Sequence, residues 1–140
     1  GGTQGNDYLA WRDFDGVEGD YRIWSDALGV VWSEMAYEPR TNDTLTLEKD
    51  SANSSTMTTK LTLSEAIELG GLVIDDGTTL DLAGYDIFLP ENSVFSIAGT
   101  RIDAGVYTAA ELGYDEVVDS VGTTATITLD PRTSTLFLFR

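Results

Sequence analysis

An acidic stretch near the start of the chain is the clearest concentration of side chains that could do chemistry. Four carboxylates and two glycines fall between positions 13 and 20, and the carboxylates are Asp13, Asp15, Glu18 and Asp20. Carboxylate oxygens on a loop that glycine allows to bend are the ligands that calcium prefers. The spacing does not match an EF-hand, whose loop ends in a bidentate glutamate. The stretch is a candidate calcium site, with a solvated acidic loop as the alternative.

Aromatic residues are concentrated in the same part of the chain. All three tryptophans, Trp11, Trp24 and Trp32, lie within residues 8–37, together with three of the six tyrosines. Indole rings could stack on the sugars of a polysaccharide, which predicts a carbohydrate-binding or adhesive module. Aromatic side chains also bury large apolar areas, so they suit the open end of a β structure. We favour an aromatic cap and keep polysaccharide binding as the alternative.

The absence of two residue types restricts the chemistry further. The chain contains neither cysteine nor histidine. Disulfides, cysteine-type zinc sites and serine–histidine triads are therefore excluded within this chain. A pair of carboxylates could serve a glycosidase, but nothing in the spacing marks two of the 24 acidic residues as a pair. We predict that the protein is not an enzyme, with a carbohydrate-active enzyme as the third and weakest alternative.

The charge balance limits the partners. Eight basic against 24 acidic residues give a formal net charge of −16. A surface of this sign repels the phosphates of nucleic acid, so no nucleic-acid partner is expected. No apolar run approaches the roughly 20 residues that a membrane-spanning helix needs, so no membrane insertion is expected either.

The second half of the chain shows a regular alternation of short apolar segments and turn residues. The apolar segments are 72–74, 80–82, 87–89 and 94–97. Each is followed by a turn that contains Gly, Pro or Asn, which is typical of strands and tight turns. The strands recur every seven or eight residues in most of this part, closer than in most sandwiches. This spacing predicts an all-β fold, a short β-solenoid or β-roll.

Two short helices are predicted from capping signals. Thr62 and Glu65 form one candidate capping box with Gly70 following, and Thr108 and Glu111 form a second with Gly113 following. A Ser or Thr three residues before Glu satisfies the first amides of a helix, and a later Gly ends it. Each predicted helix has little more than two turns.

The chain end is predicted to form a hairpin. Residues 123–129 alternate threonine with apolar residues, Pro131 marks a turn, and residues 133–140 form a second apolar strand. The whole chain is then a single domain of 140 residues. We expect a flexible arm at 1–7, an aromatic N-terminal cap with entry strands at 8–60, and solenoid-like strands at 61–140 with the C-terminal hairpin from about 121.

Several segments resemble secreted bacterial β-solenoid surface proteins. Residues 24–47, in which tryptophan-bearing segments lead through Pro39 to a strand, resemble a module opening in such proteins. Residues 80–87, with the sequence LDLAGYDI, resemble the rung of β-helical exoproteins. Residues 97–113 resemble the closing segment of autotransporter passenger repeats. The resemblance implies a secreted or cell-surface β-solenoid with no catalytic motif.

The last strand suggests how such a domain would act. Its apolar run has no polar face, and its residues are Leu136, Phe137, Leu138 and Phe139. A strand that is apolar on both faces must be buried on both sides or pair with another molecule. We therefore predict a non-catalytic extracellular structural protein, a self-assembling cell-surface or filament subunit whose partners are copies of itself. Calcium is the one candidate cofactor.

Overall fold

The computed structural model describes residues 8–11, 19–25, 30–31, 41–48, 59–122 and 124–131. These residues form fourteen strands and one short helix, so the prediction of an all-β fold is confirmed. No helix in this part of the chain is long and apolar enough to span a membrane.

The strands are short, and their bounds follow the chain order. They are β1 (Tyr8–Trp11), β2 (Asp20–Ser25), β3 (Val30–Val31), β4 (Thr44–Leu47), β5 (Lys60–Thr62), β6 (Ile67–Glu68), β7 (Gly71–Ile74), β8 (Thr79–Asp81), β9 (Ile87–Leu89), β10 (Val94–Ile97), β11 (Thr100–Arg101), β12 (Gly105–Thr108), β13 (Val117–Val118) and β14 (Thr126–Leu129). The helix α1 (Ala109–Leu112) lies between β12 and β13.

From β4 to β9 successive strands visit three sheets in rotation, and β10, β13 and β14 repeat the same order. Sheet A has the order β1-β2-β4-β7-β10-β11, sheet B has β13-β8-β5-β3, and sheet C has β12-β14-β9-β6. We call one visit to A, B and C a pass. The first pass is β4-β5-β6, the second is β7-β8-β9, and the third is β10-β13-β14. Strands of neighbouring passes pair in parallel within each sheet.

The core consists of apolar side chains stacked in register from pass to pass. Alternate residues of each strand face inward, and pairing brings their equivalents in the next pass to the same depth. The stacked rows are Leu45–Leu72–Phe95 and Leu47–Ile74–Ile97 in sheet A, Leu61–Leu80–Val117 in sheet B, and Ile67–Ile87–Ile127 in sheet C. All of these side chains except the partly buried Ile67 are at most 3% exposed, and Ile67 packs against them.

Neighbouring passes approach closely where the chain enters the second pass. A Cβ atom at Gly70 would lie 2.8 Å from the carbonyl carbon of Asn42, and one at Gly71 would lie 2.7 Å from the Thr44 hydroxyl oxygen. The amide of Gly70 donates to the carbonyl of Asp43 over 2.9 Å, which joins the two backbones there. Glycine is needed at these positions because a side chain would overlap atoms of the first pass.

The third pass differs from the second by an excursion that closes one end of the sheets. Ala98 and Gly99 both have positive φ, 51° and 81°, and their two-residue turn folds β11 back antiparallel to β10. β12 then pairs antiparallel with β14. Side chains of the excursion pack against the core, and they are Tyr107, Ala109, Leu112 and Tyr114. We call residues 98–116 the C-terminal cap.

One of the two predicted helices is confirmed in its position and caps, although it has only four residues in place of the two turns predicted, and the other is wrong. Thr108 caps α1 through the predicted capping box with Glu111, and Gly113 ends the helix with φ 75°. The segment that starts at Thr62 forms no helix. Leu63 and Leu69 are 2% and 0% exposed, so both face the core while the chain turns from sheet B into sheet C. This packing overrides the local capping signal.

The predicted C-terminal hairpin needs correction. β14 already pairs antiparallel with β12 along one edge and parallel with β9 along the other. Both edges of β14 are therefore occupied, and no edge is left for a hairpin partner. The expected second strand, 133–140, lies outside the described residues.

The expected aromatic N-terminal cap falls only partly on described residues. β1 pairs antiparallel with β2, and β2 pairs parallel with β4, so strands of this region extend sheet A. The flexible arm at 1–7 and most of residues 12–40 lie outside the described part. Within that part, the apolar cap that packs against the core belongs to the other end of the sheets, with Tyr107 and Tyr114.

Candidate functional site

The candidate calcium ligands cannot be assembled from the described residues. Asp13, Asp15 and Glu18 lie outside them. Asp20 is the first residue of β2, where its backbone is in register with Thr44. Among the residues that the structure describes, no group of three or more acidic side chains is arranged to hold a metal ion. Calcium binding by this stretch remains a prediction.

The tryptophans are placed only by the backbone register. Trp24 lies opposite Leu9, and Trp11 lies opposite Arg22 in the antiparallel pair of β1 and β2. Trp32 is outside the described residues. The carbohydrate-binding alternative therefore remains a prediction.

The last predicted strand, which we call the assembly strand, also lies outside the described residues. Residues Leu136, Phe137, Leu138 and Phe139 follow Pro131, the last described residue, by five to eight positions. Their proposed role in pairing with another copy remains a prediction.

A set of carboxylates at one corner of the molecule forms the best-defined polar site. Asp81, at the end of β8, is only 4% exposed. Its Oδ1 accepts a hydrogen bond from the amide of Ala83 over 2.9 Å and a second from the amide of Ser120 over 2.9 Å. Ala83 belongs to the second pass and Ser120 to the third. A single buried oxygen thus closes its own turn and joins two passes.

A second aspartate makes the reverse connection. Asp119 follows β13 in the third pass, and its Oδ1 accepts from the amide of Gly84 in the second pass over 3.0 Å. The same oxygen accepts from the amide of Val121 over 3.3 Å within its own turn. Asp81 and Asp119 therefore link the two turns between sheets B and C in both directions. We call residues 82–86 and 119–125 the paired corner.

Two further carboxylates extend the connection beyond the paired turns. Asp86 Oδ1 accepts from the amide of Thr126 over 2.9 Å, at the entrance to sheet C. Glu116 Oε2 accepts from the amide of Gly77 over 3.1 Å, at the entrance to sheet B. Four carboxylates thus bind amides that lie 35 to 40 residues away along the chain. We call them the interpass carboxylates.

The interpass carboxylates form charge-assisted hydrogen bonds with backbone amides. An ionised carboxylate accepts an amide proton more strongly than a neutral carbonyl does. Turn amides have no partner in a sheet ladder, so an acceptor from the next pass satisfies them. Each of the four carboxylates has an amide of the adjacent pass as a donor. The arrangement holds the register of the turns.

None of the interpass carboxylates is among the candidate site residues that the sequence predicts. Asp119 and Glu116 lie outside the segments that the sequence predicts as strands. A signal was nevertheless available, because the Asp-x-x-Gly spacing of Asp81 and Gly84 recurs at Asp119 and Gly122. Equal spacing at both turns indicates that they occupy equivalent positions in successive passes.

Comparison with known proteins adds no relative. No protein-family model matches the chain, and no curated protein or solved structure matches it.

Proposed function

We propose that this chain is a non-catalytic structural domain of the secreted or cell-surface type, built as a short β-solenoid. The rotation of successive strands through sheets A, B and C supports the solenoid, because each pass stacks in parallel on the one before it. Repeating units of this kind bury a continuous core by stacking on their neighbours. The resulting stack is a rigid spacer or scaffold.

The observation that supports the structural role is that the interpass carboxylates accept hydrogen bonds from backbone amides of the adjacent pass. A catalytic acid or base needs an oxygen within hydrogen-bond reach of a substrate. Asp81 is 4% exposed, and its Oδ1 is engaged by two backbone amides. Its position suits it to hold two passes together. The high acidity of the chain is thus partly accounted for by the connections between passes.

Self-assembly through the chain ends completes the proposal. A stack of parallel strands has open edges at its ends, and open edges pair readily with other strands. On one side, the C-terminal cap places the antiparallel strands β11 and β12 at the borders of sheets A and C. The assembly strand, with Leu136, Phe137, Leu138 and Phe139, is then the candidate element for adding a neighbouring copy.

Assembly of a chain with a net charge of −16 must overcome repulsion between copies. Salt screens this repulsion, because the Debye length falls from about 30 Å at 0.01 M to about 8 Å at physiological ionic strength. We therefore expect larger species at moderate salt than at low salt. Light scattering coupled to size exclusion measures this directly, and electron microscopy of the same samples shows whether the species are filaments.

A matched pair of variants separates strand pairing from a general effect of charge. Leu138→Asp places a charge in the assembly strand, whereas Val121→Asp places the same charge on a side chain that is 59% exposed at the paired corner. Only Leu138→Asp should abolish the larger species. A wild-type chain that stays monomeric at high protein concentration and moderate salt would rule out self-assembly.

A further inference from the structure

The outer face of sheet C carries a row of neighbouring side chains that includes two exposed apolar groups. The register places Val106, Thr128, Phe88 and Glu68 side by side on β12, β14, β9 and β6. Val106 is 57% exposed and Phe88 is 36% exposed. Strands lie about 4.8 Å apart, so two strand spacings, about 10 Å, separate the apolar pair across Thr128.

Two more exposed apolar side chains lie in the paired corner, through which the chain passes from sheet B to sheet C. Tyr85 is 41% exposed and Val121 is 59% exposed, and both belong to the paired corner, from which the chain enters sheet C. The bond from Gly84 to Asp119 holds the two turns together. Of the five exposed large apolar residues in the described part, only Val94 belongs to another sheet. Among the described residues, exposed apolar side chains are thus most frequent on sheet C and in the corner that leads into it, which favours an interaction surface there.

The charges around this face are all of one sign within the described part. Glu68 lies in the row itself, Asp86 immediately precedes β9, and Glu111 lies in α1 directly after β12, and all three are exposed. No strand of sheet C contains a lysine or arginine. The basic residues of the described part belong to strands of sheets A and B, and they are Arg22, Arg101 and Lys60.

We propose that the outer face of sheet C is a docking surface for a polypeptide segment that is both apolar and cationic. Val106 and Phe88 supply two apolar contacts on rigid strands, and Glu68 supplies a carboxylate in the same row for a lysine or arginine. Complementary charge directs such a partner to this face and excludes acidic ones. If two copies met through this face, their acidic side chains would repel each other. This surface goes beyond the proposed function, because it does not require self-assembly.

A direct binding experiment tests the surface with the full chain. The probe is a fluorescein-labelled synthetic peptide in which lysine alternates with phenylalanine and valine, followed by anisotropy at low salt. Phe88→Thr and Val106→Thr should each weaken binding by about tenfold, since each removes an apolar contact from the face. Threonine suits a strand and matches the neighbouring Thr128, so the fold is retained. Circular dichroism checks each variant.

The control substitution lies on a different sheet. Val94→Thr changes a residue with the same exposure as Val106, 57%, but on sheet A. It should change the affinity by less than about twofold, whereas equal losses from Val94→Thr and Val106→Thr would overturn the proposal as non-specific binding. Glu68→Gln should weaken binding and flatten its salt dependence, because one of the complementary charges is removed.

Other occupants give different and opposing results. A peptide with glutamate in place of lysine should bind at least tenfold more weakly, and equal binding would overturn the charge argument. Absence of saturable binding by the lysine peptide would overturn the surface itself. A neutral polysaccharide that competes at Phe88 in place of the peptide, or a self-association that Val106→Thr abolishes, would assign the face to another partner. Since the assembly strand is intact in every variant, loss of peptide binding is distinguishable from loss of self-assembly.

Discussion

The second and third passes cross the same three sheets but connect sheets A and B very differently. In the second pass, residues 75–78 suffice to lead from β7 to β8. In the third pass, the C-terminal cap occupies this connection with β11, β12 and α1. The second pass has a parallel neighbour on both sides in every sheet, whereas the third pass meets antiparallel strands in sheets A and C.

This difference shows how a stack of passes is closed. An inner pass needs only short turns, because its apolar rows are covered by the passes on either side. Within the described residues no further pass follows the third, and there the longer connection places Tyr107, Leu112 and Tyr114 against the core. β11 and β12 also run antiparallel at the borders of sheets A and C. A further strand that joined either border would therefore pair with β11 or β12 and not with a strand of the third pass. Three of the interpass carboxylates join the two passes at the turns between sheets B and C, and Glu116 joins them at the connection between sheets A and B through the Gly77 amide.

The largest expected effect is the loss of an inner core side chain. Leu80 is fully buried in the second pass between Leu61 and Val117, so Leu80→Ala should lower the free energy of unfolding by about 3 kcal/mol. Urea unfolding followed by circular dichroism measures it. Val121→Ala, at a residue that is 59% exposed, is the control and should change stability by less than about 0.5 kcal/mol. A similar small effect from Leu80→Ala would contradict a core shared by the three sheets.

Loss of the buried carboxylate should come next. Asp81→Ala leaves the amides of Ala83 and Ser120 without their acceptor, which should cost about 2 kcal/mol. Hydrogen exchange resolves the two passes, because the Ser120 amide should lose protection although it lies 39 residues away in the chain. Asp81→Asn keeps an acceptor oxygen and should lose less. Unchanged protection at Ser120 would mean that the passes are not joined through this carboxylate.

A smaller effect is expected when only the C-terminal cap is altered. Thr108→Ala removes the side chain that accepts from the Glu111 amide and so costs about 1 kcal/mol. Because the capping box serves α1 alone, exchange should accelerate in residues 109–113 and not in β7 or β8. Thr108→Ser keeps the hydroxyl and serves as the control. Equal acceleration throughout the second pass would show that cap and inner pass open together.

The smallest effect is expected at the exposed interpass bond. Glu116 accepts from the Gly77 amide over 3.1 Å at a solvent-exposed position, and water can replace the carboxylate there. Glu116→Ala should therefore change stability by about 0.5 kcal/mol or less. Thermal unfolding beside Asp81→Ala provides the comparison. A loss as large as that of Asp81→Ala would show that burial does not distinguish the two carboxylates.

Local patterns predicted the strands of the regular passes closely. The predicted segments 87–89 and 94–97 coincide with β9 and β10, and the predicted segment 72–74 lies within β7. Apolar alternation and turn residues are properties of adjacent positions, so they are readable along the chain. The prediction was wrong after Thr62, where a capping signal competed with burial of Leu63 and Leu69. Local propensity yields to packing when both flanking leucines face the core.

The polar site was much harder to predict than the strands. Asp81 lies in the predicted segment 80–82, but that pattern does not identify its donors, the amides of Ala83 and Ser120. Asp119 and Glu116 were not identified, since their interpass donors are more than thirty residues away. A hydrogen bond between passes depends on how many residues each pass contains. The C-terminal cap changes that number in the third pass.

The sequence by itself determined the class of the fold and most strand positions in residues 71–97, because alternation and turn chemistry act over a few residues. It also determined the α1 capping box, whose partners are three residues apart. Only the tertiary structure decided which strands are neighbours, why β14 has no free edge, and which amides the carboxylates bind. These features depend on contacts between distant residues, and stacking of the passes is what brings those residues together.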